Sequence, residues 1–450
     1  MSNGNTRGRP ALAAESPGLP APGAGGDAEA TAPAAVPWLA RRLFPLLATV
    51  ALLVIGMGGT TWWGPALIGR TAWSLPHDLW GTLIAASRLV HLDLGGLYTQ
   101  PTGLITLPGA AVILAPAAAV INAAGLSLQI PGPNNLQPAA WLIAGPYQIA
   151  VSAVVLFAAD AIAEQLGLTR WRRAALTAAQ AMALWNVSVQ WGHPEDAVAV
   201  ALLLYGILAL SRSKTVWSAW LLGAAVAIQP LVLLALPFLA VLIEPRRLAG
   251  YLARAAAPGA VLLAIAAAAN WSATFTAVTS QPNWLTVDHP TAWTYLVPQL
   301  PGGGVAAGPA RVLTIAVACG CALVAGRRWR AARQAGRWSS QTLTEVLWWA
   351  ALGLALRSVF EPVMVAYYLW PPLALVLIPA AANWLSLITT SVIAGLLTFV
   401  SQVSWRGPWS WWVPMITGLA LALLAARLPL RRKGPARRAR RLNFPAPGDV

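Results

Sequence analysis

The chain has 450 residues, 58% of them hydrophobic and only 10% charged. An ordinary soluble domain carries roughly 25% charged residues, so a water-facing surface cannot be built from this composition and lipid must solvate most of the chain. The net charge of +16, from 30 basic and 14 acidic residues, does not point to nucleic acid, because the basic residues fall in short clusters between apolar runs, the positive-inside pattern of membrane proteins.

Apolar stretches of about 15 to 24 residues recur from Leu43 to Ala426, close to the length that crosses about 30 Å of hydrocarbon at 1.5 Å per residue. Helices satisfy their own backbone in lipid. A closed β-barrel needs alternating polarity, whereas these runs are solidly Leu, Ala and Val. The expected fold class is therefore all-α, a polytopic transmembrane helical bundle. Cys319 and Cys321 lie two apart in one apolar run, on different faces of a helix, so neither a disulfide framework nor a zinc site follows.

In chain order, residues 1–36 are rich in Ala, Pro and Gly and carry no apolar run. They read as a disordered cytoplasmic tail rather than a signal peptide. The transmembrane region is expected over 37–428, and 429–450 form a basic cytoplasmic tail. The first span, about Leu43 to Trp62, follows Arg41 and Arg42 and runs outward. In the outer loop 63–102, Leu79, Trp80, Leu83, Ile84, Ser87, Val90 and Leu94 recur at helical spacing. This predicts an amphipathic helix, either lying on the outer membrane surface or capping the bundle.

Apolar runs follow at 103–124, 140–163, 174–191, 197–211, 216–229, 230–243, 251–275, 309–326, 341–360, 367–384, 385–403 and 411–428. Basic clusters at Arg170 to Arg173, Arg212 to Lys214, Arg246-Arg247, Arg327 to Arg337 and Arg427 to Arg441 mark cytoplasmic turns. Keeping them all inside requires an odd number of crossings between the first outer loop and Arg170. Two runs lie there, and 103–124 is broken by Gly103, Pro108, Gly109 and Pro116, so it is expected to be re-entrant or a broken pair rather than one span. The count becomes about twelve full spans plus one re-entrant segment. The further outer segments are 192–196, 276–308, 361–368 and 404–412, and both termini face the cytoplasm of a multi-pass cell-membrane protein.

Chemistry is expected in the outer segments. All four histidines, His77, His91, His193 and His289, fall there, each within two residues of an acid: Asp78, Asp93, Glu195 or Asp288. Asp78, after Pro76, can cap the amphipathic helix or act as a general base at the membrane surface. In Gly192-His193-Pro194-Glu195-Asp196, Pro194 suits a helix start with both acids near its positive end. Three ionisable groups in so short a turn exceed what capping requires. Arg357 and Glu361 are spaced for an i,i+4 pair, and an outward Arg can hold a phosphate bidentately. Tyr367, Tyr368 and Trp370 can line a sugar or the interface, although aromatic belts account for most of the 24 tryptophans. Asp160 and Glu164, with Arg170 to Arg173 after them, form an interfacial charge cluster. Gln229-Pro230 interrupts two short apolar runs, which can form a broken helix beside a cavity.

The order of a short polar outer turn at Gly192 to Asp196, a Leu-rich helix from Leu202 to Arg212, and a Gly/Ala-rich helix followed by Gln229-Pro230 and Leu236-Pro237 resembles the core of the GT-C superfamily. Asp78 with the amphipathic helix Leu79 to Leu97 and Tyr98 resembles that superfamily's first outer loop and its catalytic Asp. These are polytopic glycosyltransferases that use polyprenyl-phosphate sugars, and the nearest subgroup is the actinobacterial α-mannosyltransferase-like membrane proteins. The similarity covers about Leu43 to Pro245, and Gln229 stands where members often carry Lys.

The resemblance implies transfer of a hexose, most plausibly mannose, from a polyprenyl phosphate to an envelope glycolipid or glycan at the outer face. Asp78 is then the base and Arg357 or Arg88 steadies the leaving phosphate, while His193 and Glu195 bind sugar hydroxyls. His77, Tyr98, Asp196, Gln229, His289, Glu361, Tyr367 and Tyr368 complete the candidate substrate site. The expected partners are the lipid-linked sugar, the acceptor and membrane lipids. No cofactor is expected, and no metal is assigned because the His-acid pairs lack a tight ligand spacing, although imidazole with carboxylate suits several metals. Two other readings compete: a transporter or flippase of a lipid-linked or small solute, and a non-catalytic scaffold for envelope enzymes.

Overall fold

The computed structural model describes residues 38–63, 73–99, 104, 106–128, 137–280, 282–284, 289–300, 304–330, 338–402 and 407–427. The tails expected over 1–36 and 429–450 lie outside them. Trp38–Arg41 forms a single helical turn, and the bundle is built from Arg42 onward.

Its first half comprises α1 (Leu43–Gly58), α2 (His77–Val90), α3 (Gly109–Ala123), α4 (Pro138–Ser152), α5 (Val154–Gln165), α6 (Arg170–Trp185), α7 (Pro194–Ser211) and α8 (Thr215–Ile228). The second half comprises α9 (Leu236–Ala240), α10 (Pro245–Ala269), α11 (Trp271–Ser280), α12 (Gly308–Arg328), α13 (Ser340–Phe360), α14 (Trp370–Ala380), α15 (Trp384–Val400) and α16 (Val413–Ala425). Proline starts several of them, as at Pro138, Pro194 and Pro245, where its missing N–H costs no helical bond.

Among the described residues seven helical stretches are long and apolar enough to cross a membrane: Leu43–Trp62, Pro138–Gln165, Pro194–Ser211, Pro245–Ala269, Gly308–Arg328, Ser340–Phe360 and Pro408–Ala425. Large apolar side chains stay exposed along them, such as Leu47, Val50 and Val54 on α1 and Val312, Leu323 and Val324 on α12. Stripes of this kind need a lipid solvent. The chain is thus built as a helical membrane protein.

Four further apolar helices are shorter, Gly109–Ala123, Thr215–Ile228, Ala366–Ala380 and Trp384–Val400. The run 230–243 is no continuous helix but a broken one, as the Gln229-Pro230 interruption leads one to expect: a 3-10 turn at Pro230–Leu234 and the five-residue α9. Pro230 and Pro237 remove the N–H donors a continuous helix would need. Of the two placements expected for the amphipathic helix, packing on the bundle is the one found: α2 buries Leu79, Leu83 and Ala86 completely in a cluster with Leu114, Ala118 and Ile121 of α3. Protein, not lipid, covers that apolar face. Ser87 and Asn122 hydrogen-bond across the same contact.

Among the described residues four short strands, absent from the all-α expectation, occur in the segments expected to be outer, 276–308 and 361–368. Pro282–Trp284 (β1) pairs antiparallel with Gly304–Ala306 (β3), and His289–Pro290 (β2) with Val363–Met364 (β4). The segment after β2 grips the end of α13: Thr291 Oγ1 donates to the Glu361 carbonyl (2.9 Å), Thr294 Oγ1 to that of Pro362 (2.6 Å) and Trp293 Nε1 to that of Val359 (2.6 Å).

Two polar regions lie at opposite ends of the bundle. From Arg170 the chain runs helically through α6 and a π-helical turn at Asn186–Gln190, on the order of 30 Å at 1.5 Å per residue. At the Arg170 end the expected charge cluster is formed: buried Asp160 takes Arg42 and Arg173, each at 2.7 Å, and Glu164 takes Arg42 at 2.8 Å. The other end carries His193.

Candidate functional site

Local backbone chemistry sets the His193 end. Gly192 has φ +68°, and a Cβ there would stand 2.9 Å from Leu79 Cβ. Glycine therefore lets the turn both reverse and press against α2. His193 follows as the N-cap of α7, with Glu195 and Asp196 in the first turn. Asp78 sits in the first turn of α2, whose N-cap is Pro76 with no side-chain cap bond. Asp78 thus lies inside the helix rather than at the cap position, and its side chain makes a contact beyond α2.

That contact is with His193. The imidazole lies between two carboxylates, Nε2 at 2.9 Å from Asp78 Oδ2 and Nδ1 at 2.6 Å from Glu195 Oε1. Burial disfavours the imidazolium, but the Glu195 charge and the hydrogen bonds to Asp78 and Glu195 outweigh it and raise the His193 pKa well above the ordinary value. Both nitrogens then donate. His193 and Glu195 are nearly closed to solvent, whereas 40% of the Asp78 side chain stays accessible. Beside them Gln229 Nε2 donates to Asp196 Oδ1 at 2.5 Å. The Gln-Pro interruption brings it there, since Gln229 leaves α8 in extended conformation.

The aromatic pair joins this cluster to a second one. Tyr367 lies over the His193 ring with centroids 4.0 Å apart, and Tyr368 meets Tyr367 edge-on at 5.0 Å. The Arg357 guanidinium covers the Tyr368 ring at 3.7 Å. Glu361 is buried, held by Arg311 at 2.8 Å and by Asn283 Nδ2 at 3.1 Å. Arg357 stands 3.8 Å from it, so the expected i,i+4 pair is the looser of the two Arg contacts. With Glu361 engaged by Arg311, the Arg357 cation is stabilised chiefly over an aromatic face.

Of the expected site residues, Asp78, His193, Glu195, Asp196, Gln229, Arg357, Glu361, Tyr367 and Tyr368 form one contiguous constellation. Arg88 does not join it: its guanidinium binds the Gly96 carbonyl and Thr99 Oγ1, each at 2.5 Å, and pins its own loop. Tyr98 is likewise structural, donating to the Thr106 carbonyl at 3.0 Å. His289 stacks on Trp411 at 3.8 Å and 7°, next to the β2–β4 pairing rather than on His193. The His77 side chain and Asp288 lie outside the described residues.

Arg311 and Asn283 were missed by sequence reasoning. Arg311 stands alone at the end of an apolar run expected to face outward, the same departure from the positive-inside pattern that singled out Arg357. Asn283 carried no such signal. One ligating atom from each of His193, Glu195 and Asp196 lies within 4.8 Å of the others, which fits a common ion as well as a hydrogen-bonded cluster. The chain matches no protein-family model, and no curated protein matches it.

Proposed function

We propose that the protein is a membrane glycosyltransferase that moves a hexose, with mannose the first candidate, from a polyprenyl phosphate to an envelope glycolipid or glycan. The observation that carries this reading is the Asp78 carboxylate, anchored at 2.9 Å by His193 yet accessible at the end of an apolar bundle. A base placed so can meet a sugar hydroxyl from water and a donor from lipid.

In the proposed reaction Asp78 takes the proton of the acceptor hydroxyl as its oxygen bonds to the anomeric carbon. The bond from that carbon to the phosphate oxygen breaks, and the polyprenyl phosphate leaves with the electron pair. His193 orients Asp78 through Nε2–H, and Arg357 meets the phosphate charge. General-base catalysis typically contributes 10² to 10⁴ in rate, with further gain from positioning and from the fixed cation.

The reading also assigns sides. The Arg42, Asp160, Arg173 end faces the cytoplasm with both termini, and the His193 end faces outward. About twelve crossings and a re-entrant segment near residues 103–124 remain part of the proposal. Helix α3 has 15 residues, about 22 Å of rise, which favours a segment that enters without crossing. The test is transfer of labelled hexose from polyprenyl-phosphate mannose to extracted envelope glycolipids by wild type and Asp78→Asn.

A further inference from the structure

The start of α7 holds two adjacent carboxylates that the transfer reading uses only for hydroxyl binding. Glu195 and Asp196 are 3% and 1% exposed. Each has one oxygen engaged, Glu195 Oε1 by His193 Nδ1 and Asp196 Oδ1 by Gln229 Nε2. Their second oxygens, Glu195 Oε2 and Asp196 Oδ2, are buried with no hydrogen-bond partner among the described residues. Neighbouring buried anions with open lone pairs are costly unless a cation meets them. None of the nearby cations bonds to these two oxygens: the His193 imidazolium is shared between Asp78 and Glu195 Oε1, Arg311 is held by Glu361, and Arg357 lies over the Tyr368 ring.

We infer that His193, Glu195 and Asp196 form a binding site for one divalent metal ion. Donors about 2.0 to 2.6 Å from a shared ion can stand up to about 4 to 5 Å apart, and the three offer atoms within 4.8 Å of one another. The orphaned carboxylate oxygens point to a hard or borderline ion of the Mn²⁺ or Mg²⁺ kind, and the imidazole tips the choice toward Mn²⁺. Asp78 accepts from Nε2, the arrangement by which an outer carboxylate directs the other ring nitrogen to a metal. On binding, Nδ1 gives its lone pair to the ion and its proton passes to solvent. Three protein donors leave open positions for water or an anionic oxygen.

The site stands whether or not sugar is transferred. Its test uses full-length protein in lipid nanodiscs, stripped with a chelator, and MnCl₂ followed by electron paramagnetic resonance with no sugar substrate present. The expected result is one Mn²⁺ per chain, bound at least 100-fold more tightly than by the Glu195→Gln/Asp196→Asn double variant. Asp78→Asn weakens binding about 10-fold, as loss of an outer-shell carboxylate does. Bound Mn²⁺ carries a ¹⁴N coupling that disappears in His193→Gln. If the double variant does not fold, the ¹⁴N coupling in wild type and its loss in His193→Gln decide. Wild-type uptake no tighter than the double variant's, or bound Mn²⁺ without nitrogen coupling, overturns the proposal and leaves a proton as the neutralising charge.

Discussion

His193 Nε2 lies 2.9 Å from Asp78 Oδ2, joining the first turn of α2 to the start of α7 across 115 positions of sequence. The contact ties the proposed base to a buried imidazole that is itself fixed by Glu195 at 2.6 Å. Any shift of α2 against α7 therefore moves Asp78, so under the proposed function the packing of the two helices bears on activity as well as on stability.

Gly192→Ala tests that coupling. Its φ of +68° and the 2.9 Å approach to Leu79 Cβ strain any side chain, at roughly 1–3 kcal/mol for the backbone alone. The expected outcome is a lower thermal midpoint together with a loss of transfer larger than Gly125→Ala gives. Gly125 shares the positive φ, but a Cβ there meets nothing within 4 Å.

Arg357→Lys keeps the charge and loses the planar fork that stacks on Tyr368 at 3.7 Å. Losing one charge-assisted bond to the phosphate costs about 1.5–3 kcal/mol. The donor KM or kcat should worsen by about 10- to 100-fold, with acceptor KM unchanged, as read by steady-state transfer with each substrate varied in turn. Equal loss for both substrates contradicts a role at the donor phosphate.

Tyr367 presents its ring to His193 at 4.0 Å, so the face rather than the hydroxyl is expected to matter. Tyr367→Phe should keep activity within about twofold, while Tyr367→Ala forfeits stacking of about 0.5–1.5 kcal/mol and loosens His193. Transfer rates of the two variants at matched folding check this.

Asp160 serves as the structural control at the other end. It is fully buried and paired to both Arg42 and Arg173 at 2.7 Å. Asp160→Asn removes the carboxylate that Arg42 and Arg173 share and leaves Arg42 with Glu164, and removing one member of a buried pair typically costs about 3–5 kcal/mol. Thermal inactivation should accelerate, while the protein that remains folded keeps the wild-type KM for both substrates.

Much of the bundle is legible in the sequence because long Leu and Ala runs admit one solution in lipid. The turn from Gly192 to Asp196 was legible too, since its ionisable residues exceed what a helix start needs. The pairing of Asp78 with His193 was not, because no local pattern records which helix starts meet in space. Arg88 misled for the same reason: its outer-loop position fits a phosphate ligand, yet the nearby Gly96 carbonyl takes it first. The strands at His289–Pro290 and Val363–Met364 are two residues each, too short for alternation to register. The break in the 230–243 run was legible at Gln229-Pro230, and Pro237 adds a second interruption that outweighs the run's hydropathy.

The central claim is that Asp78 is the base of a sugar transfer. Purified protein in lipid, given labelled polyprenyl-phosphate mannose and extracted envelope glycolipids, measures it most directly. The account predicts label in glycolipid with wild type and a rate lowered 10² to 10⁴-fold in folded Asp78→Asn. Undiminished transfer in that variant, or no transfer by wild type across a broad acceptor panel, would contradict it.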